Sequence, residues 1–235
     1  MDKYKTSCGI VLTIIIYFIS VIFGELVKIQ SEFIPRSFIS HLTMFLLTGF
    51  AIYYYQYKGI LKTEIKRITI KKFFRIIPIT IIAFILTSVL STIFIKILNL
   101  QGRMNFNPFL DYSPCQYIIY FLLLASIVEE LLFRGFLLNM LDTAKVRWIQ
   151  IFRIKISYSV MISGLLFGLA HLCLLKSDAG NLFVFRVIFL TTIIGITAGY
   201  FQEKYENNTL AAIIVHMTSN SLGMLGLLCF SAMNK

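Results

Sequence analysis

Stretches of about 20 apolar residues recur along this chain from end to end, and that recurrence restricts it to folds that live in a bilayer. A helix of roughly this length crosses the hydrocarbon core with every backbone amide and carbonyl satisfied inside the segment. Seven stretches have the length: 8–27, 38–57, 76–98, 117–141, 157–175, 183–201 and 209–233. Gly223 and Gly226 could divide the last one and raise the count to eight. The expected fold is therefore all-α, a polytopic transmembrane helix bundle forming one domain over 1–235. A hydrophobic content of 58% and a mean hydropathy of +0.82 agree, and no polar block of domain size interrupts the series.

The net charge of +11 does not point to nucleic acid, because the bases lie between spans and no aromatic-basic module accompanies them. Lys58, Lys62, Lys66, Arg67, Lys71, Lys72 and Arg75 stand against a single acid, Glu64, so this segment should be cytoplasmic. With Lys3 and Lys5 also inside, ahead of an uncleaved first span, alternation puts 58–75, 142–156 and 202–208 on the inner side. The second carries Lys145, Arg147, Arg153 and Lys155; the third, with Glu203, Lys204 and Glu206, adds nothing to the bias. Ile60, Leu61, Ile65, Ile68, Phe73 and Phe74 are interleaved with the bases of 58–75, a pattern suited to an amphipathic helix on anionic lipid. The Ile- and Lys-rich composition suggests a bacterial plasma membrane. Cys8, Cys115, Cys173 and Cys229 form no CxxC pair, which argues against a disulfide framework and a thiolate zinc site. Gly164 with Gly168, and Gly195 with Gly199, are small-xxx-small pairs expected to let helices approach closely.

Two adjacent acids, Glu129 and Glu130, fall inside the fourth apolar stretch, where an ionised carboxylate facing lipid costs several kcal/mol. Glu130 and Arg134 are four apart and share a helical face, so they can pair. Glu129 is rotated by about 100° from Glu130 and must find another partner. All three histidines, His41, His171 and His216, also fall within apolar stretches. Imidazole is the side chain best suited to proton transfer near neutral pH. His41 reads as a hydrogen-bonded packing element. His171 follows Phe167 by four and His216 precedes Asn220 by four, so each pair presents one helical face to the bundle.

In order, Glu129-Glu130-xxx-Arg134, Phe167-xxx-His171 and His216-xxx-Asn220 occupy three separate spans. The ordered set, within a motif-bearing core of about 117–233, resembles the intramembrane family of CAAX-processing and bacteriocin-processing proteases, also called the abi family. The resemblance implies that Glu129 is the general base, Glu130 and Arg134 its supporting ion pair, and His171 a holder of the attacking water. It implies that His216 and Asn220 stabilise the oxyanion, and that Phe167 packs. Amide hydrolysis needs an activated water and donors aimed at the developing oxyanion, which these residue types can supply.

One difficulty is depth. At 1.5 Å per residue His171 lies roughly 22 Å and His216 roughly 10 Å from the inner side, so the two must converge. Zinc chemistry with Glu129, His171 and His216 as ligands is the mechanistic rival. No HExxH is present, and a nearby arginine suits a dication poorly, so no metal and no cofactor is expected. A proton-linked transporter or a non-enzymatic immunity protein is the rival of a different class. The favoured expectation is a glutamate-dependent intramembrane endopeptidase acting on a membrane-associated protein or peptide, with a place in bacteriocin or signal-peptide processing or in self-immunity.

Overall fold

The structure, a computed structural model, describes the chain apart from residues 1, 30, 32–33, 36, 103–112, 114, 142–146, 152, 177–179 and 234–235. Helices α1 (Asp2–Leu26), α2 (Phe38–Tyr57) and α3 (Ile70–Ile97) come first. Helix α4 (116–138) joins π-helical Gln116–Ala125, one α-helical turn Ser126–Glu130 and π-helical Leu131–Leu138. A hairpin of β1 (Trp148–Ile151) and β2 (Ile154–Ser157) leads into α5 (Tyr158–Ala170), which continues as a 3₁₀ turn, His171–Lys176. Helices α6 (Asn181–Lys204) and α7 (Thr209–Met233) complete the described fold. The protein is an all-α polytopic bundle. Among the described residues, six helices, all but α4 and with α5 counted together with its 3₁₀ turn, are long and apolar enough to cross a membrane. The pieces of α4 are individually too short for that count; together they cover most of the fourth expected stretch, 117–141.

Two local expectations are corrected. Residues 60–69 are not an amphipathic helix; only 70–75 are helical, as the first turns of α3. The reason is that this backbone finds partners elsewhere. Glu64 bridges Asn208, Thr209 N–H donates to Glu64 O at 3.0 Å, and the Asn208 amide both accepts from Lys66 N–H and donates to Lys66 O. Leu61 is buried beneath, and Thr63 Oγ1 donates to Gly135 O at 2.6 Å. The second correction is the hairpin within the expected inner loop 142–156. Alternation of Ile149, Ile151, Ile154 and Ile156 with other residues favours strand over helix there, and Lys155 Nζ sits 4.2 Å from the Trp148 ring centre. Lys145 lies outside the described residues.

The three expected inner segments gather at one end of the bundle. Ser157 Oγ donates to Glu203 Oε1 at 2.8 Å and ties the hairpin to the end of α6, while 206–209 is stitched to 64–66. The glycine pairs pack as expected. A Cβ on Gly164 would come within 2.6 Å of Ile196 Cγ1, and one on Gly195 within 3.1 Å of Gly164 Cα, so neither position of the α5–α6 contact has room for a side chain.

Candidate active site

Helix α4 presents its two glutamates to different surroundings. Glu130 is buried in protein, and its Oε1 accepts from Arg134 Nη1 and from His216 Nδ1, both at 3.0 Å. Arg134 is also fully buried. Its Nε and Nη2, like Glu130 Oε2, have no hydrogen-bond partner among the described residues. The guanidinium instead lies over the Phe167 ring, 4.5 Å from its centre, a cation–π contact that partly offsets its desolvation. Gly195 makes the space: a Cβ there would fall 2.5 Å from Arg134 Nη2.

Glu129 faces the other way, into a cavity, with its side chain 18% exposed. Its Oε1 accepts from His41 Nε2 at 3.1 Å, and its Oε2 lies 3.9 Å from His216 Nε2. His41 is thus hydrogen-bonded, as expected, but its partner is the candidate base rather than a packing neighbour. With Nε2–H donating to Glu129, its Nδ1 meets the Tyr120 hydroxyl and lies 3.1 Å from Ser37 O. Sequence reasoning missed this pairing because His41 and Glu129 are 88 residues apart and His41 belongs to no motif.

Phe167 joins the remaining parts. Its ring is buried against Phe133, and it meets His171 and His216 edge-on with centres 5.2 and 5.3 Å away. Convergence of the two histidines is achieved through this ring. The His171 side chain leans back along its helix, as helical side chains do, and Nδ1–H donates to Phe167 O at 3.0 Å. A carbonyl can only accept, so the proton sits on Nδ1 and leaves Nε2 of a neutral ring as an acceptor. His216 is held by the same logic, with Nδ1 on Glu130. Donation from its Nε2 as well requires the doubly protonated ring, with the two carboxylates as counter-ions. Asn220 ties α7 to α4: its Nδ2 donates to Phe121 O at 3.1 Å and to Ser126 Oγ at 3.0 Å. Both amide hydrogens are engaged there.

The cavity holds about 910 Å³, and Glu129, His41, His171, His216 and Asn220 all line it. Phe84, Phe121, Leu190 and Leu222 give it apolar walls, the usual make-up of a site with a few convergent polar groups. Among the described residues no three His, Cys, Asp or Glu side chains come together in a metal-holding group.

Residues 112–222 match the family model described as Type II CAAX prenyl endopeptidase Rce1-like. That stretch begins just before α4 and ends within α7, and it contains every residue of the three motifs. Over that stretch the chain is similar to the CAAX-type intramembrane proteases, and its apolar helices make it an integral membrane protein. The family is one of proteases that act on membrane-associated substrates within the bilayer. No curated protein and no solved structure matches the chain.

Proposed function

We propose that this protein is an intramembrane endopeptidase in which Glu129 is the general base. Water sits between Glu129 and the Nε2 lone pair of His171; Glu129 takes one of its protons as the oxygen attacks the carbonyl carbon of a peptide bond. The proton then passes to the leaving amine as the C–N bond breaks. His216, fixed through Nδ1 by Glu130, donates from Nε2 to the oxyanion in its doubly protonated form. Asn220 holds α7 against α4 and becomes an oxyanion donor only by giving up one of its two present bonds. The scheme uses water and side chains alone.

The observation that supports this reading most directly is the inequality of the two glutamates. One is consumed by Arg134 and His216, while the other keeps an oxygen toward a cavity able to hold a peptide segment. A carboxylate in an internal salt bridge is a poor base; one facing a cavity beside two imidazoles is a suitable one. The exposed bases of 58–75, which no longer need an amphipathic helix to be presented, suit the headgroups of anionic lipid.

The test compares membrane-retained and released peptides, by mass spectrometry, from cells making the natural chain or its Glu129→Gln variant at equal membrane abundance. Peptides that appear only with the natural chain, together with precursors that persist in the variant, are expected. Identical profiles would remove proteolysis by Glu129.

A further inference from the structure

The two ends of the bundle differ in a way that bears on where substrate comes from. At the end that carries 58–69, β1–β2 and 203–209, the protein beneath the glutamates is solid. Leu132, Phe136, Leu137, Leu138, Met140 and Leu141 have no exposed surface. The backbone there is locked by polar side chains: Asn139 Nδ2 and Gln202 Nε2 both donate to Arg134 O, and Thr63 Oγ1 donates to Gly135 O. Nothing reaches Glu129 from this end without taking apart the packed inner half of α4.

The cavity runs the opposite way. Toward that end it is lined by Glu25 in the last turn of α1 and Lys28 just after it, Ser37 before α2, Lys176 in the turn after α5, and Arg186 near the start of α6, which we take as its mouth. No described residue of 58–75, 147–157 or 200–209 lines it. The charges of the two ends differ as well. Lys58, Lys62, Lys66, Arg67, Lys71, Lys72, Arg75, Arg147, Arg153, Lys155 and Lys204 stand at the closed end against Glu64, Glu203 and Glu206, whereas the described ends of the spans on the open side carry only Lys28, Lys96, Lys176 and Arg186 with Glu25. Positive charge stays on the cytoplasmic side during insertion, so the closed end is the inner one.

We infer that the site is reached from the non-cytoplasmic face, and that its substrate is a polypeptide segment exposed in the outer half of the membrane or already exported. The inference deepens the proteolytic reading and rests on it only for the word substrate; the direction of access stands on geometry and charge. A cytosolic polypeptide approaching the inner surface meets the basic, plugged end and has no path to Glu129.

The experiment reads access without needing activity. In a chain with Cys8, Cys115, Cys173 and Cys229 replaced by serine, single cysteines are placed at the mouth by Lys28→Cys or Lys176→Cys and at the closed end by Lys62→Cys. All three lysines are exposed, so the substitutions disturb no packing. An impermeant maleimide applied to intact cells should label both mouth positions, and Lys62→Cys only after the membrane is opened. Labelling of Lys62→Cys in intact cells with the mouth protected overturns the orientation, and labelling of all three from one side overturns the opposition of the two ends. A second arm supplies a membrane-inserted reporter peptide whose cleavable segment lies on one defined side of proteoliposomes sorted by the same labels. Cleavage only with the segment on the mouth side is expected, and cleavage only from the Lys62 side overturns the inference. If neither orientation is cleaved while the labels fall as expected, it is the proteolytic reading, not the direction of access, that has failed.

Discussion

Glu129 and Glu130 are neighbours in sequence and opposites in surroundings. The turn of about 100° between consecutive helical residues points Glu130 into a sealed pocket of Arg134, His216 and the Phe167 ring, and turns Glu129 toward the cavity and His41. The same residue type therefore has two jobs. Glu130 neutralises a buried cation and orients a histidine, and its loss should be felt mainly as instability. Glu129 supports little of the fold, and its loss should be felt mainly as lost turnover. The contrast also explains why one acid would not suffice: a carboxylate committed to Arg134 cannot at the same time collect a proton from water.

The largest effect is expected at Glu129. Replacing it by glutamine keeps its shape and removes its basicity, so the rate should fall about 10²- to 10⁴-fold, the usual contribution of a positioned acid or base. The unfolding midpoint in detergent should stay close to that of the natural chain. A large drop in that midpoint would mean Glu129 is structural and would erase the contrast.

Glu130→Gln comes next, and its effect should appear in stability. It leaves Arg134 as an unpaired buried cation, a change that costs about 3–5 kcal/mol. Equilibrium unfolding in detergent measures it. Replacing both members, Glu130→Gln with Arg134→Met, should recover much of the lost stability because no charge is then stranded, while activity stays low because His216 has lost its anchor. Lower stability in the double variant than in the single one would show that the pair is not what holds this region together.

Much of this contrast is legible before any coordinates. The i, i+4 spacing of Glu130 and Arg134 gives the ion pair, and the rotation between adjacent residues says that Glu129 must look elsewhere. The seven apolar stretches give the bundle, with α2, α5, α6 and α7 beginning close to expectation and α1 starting earlier, at Asp2. What stays hidden is what depends on distant segments meeting. His41 could not be tied to Glu129, since no periodicity links α2 to α4. The extended run 60–69 looked helical because its interleaved bases and apolar residues fit an amphipathic face, and only the hydrogen bonds offered by Asn208, Thr209 and Gly135 decide otherwise. Depth along a span was misleading for a similar reason: counting residues put His171 and His216 far apart, and the ring of Phe167 bridges them.

A smaller effect is expected at His41, which touches the base and not the buried pair. His41→Phe removes the donor to Glu129 Oε1 and the anchor through Tyr120 and Ser37, so Glu129 gains rotameric freedom. Activity should fall about 10- to 100-fold, the scale on which a misoriented catalytic group costs rate. His41→Gln, able to donate one hydrogen bond, should restore part of it. Because the histidine holds a titrating group, the acid limb of the pH–rate profile should move in His41→Phe, a shift that a purely packing role would not produce. An unchanged profile would return His41 to the structural class.

The smallest expected effect is that of chelation, and it tests whether the cavity side of the contrast is metal-free. His216 spends Nδ1 on Glu130 and turns Nε2 toward Glu129 Oε2 at 3.9 Å, an arrangement that could serve a water or, with a third donor, a cation. The third donor would be Nε2 of His171 or His41, but among the described residues no three such side chains come together in a metal-holding group. Zinc bound by only two side chains would be loosely held, since catalytic zinc sites take three protein ligands. Purified protein treated exhaustively with chelator should therefore keep its rate, carry no stoichiometric zinc by elemental analysis, and gain nothing when zinc is returned. Activity that is lost on chelation and restored by zinc, with metal content falling in both His171→Ala and His216→Ala, would make those histidines ligands. Glu129 would then act on a metal-bound water, and the contrast between the two glutamates would survive with a different nucleophile.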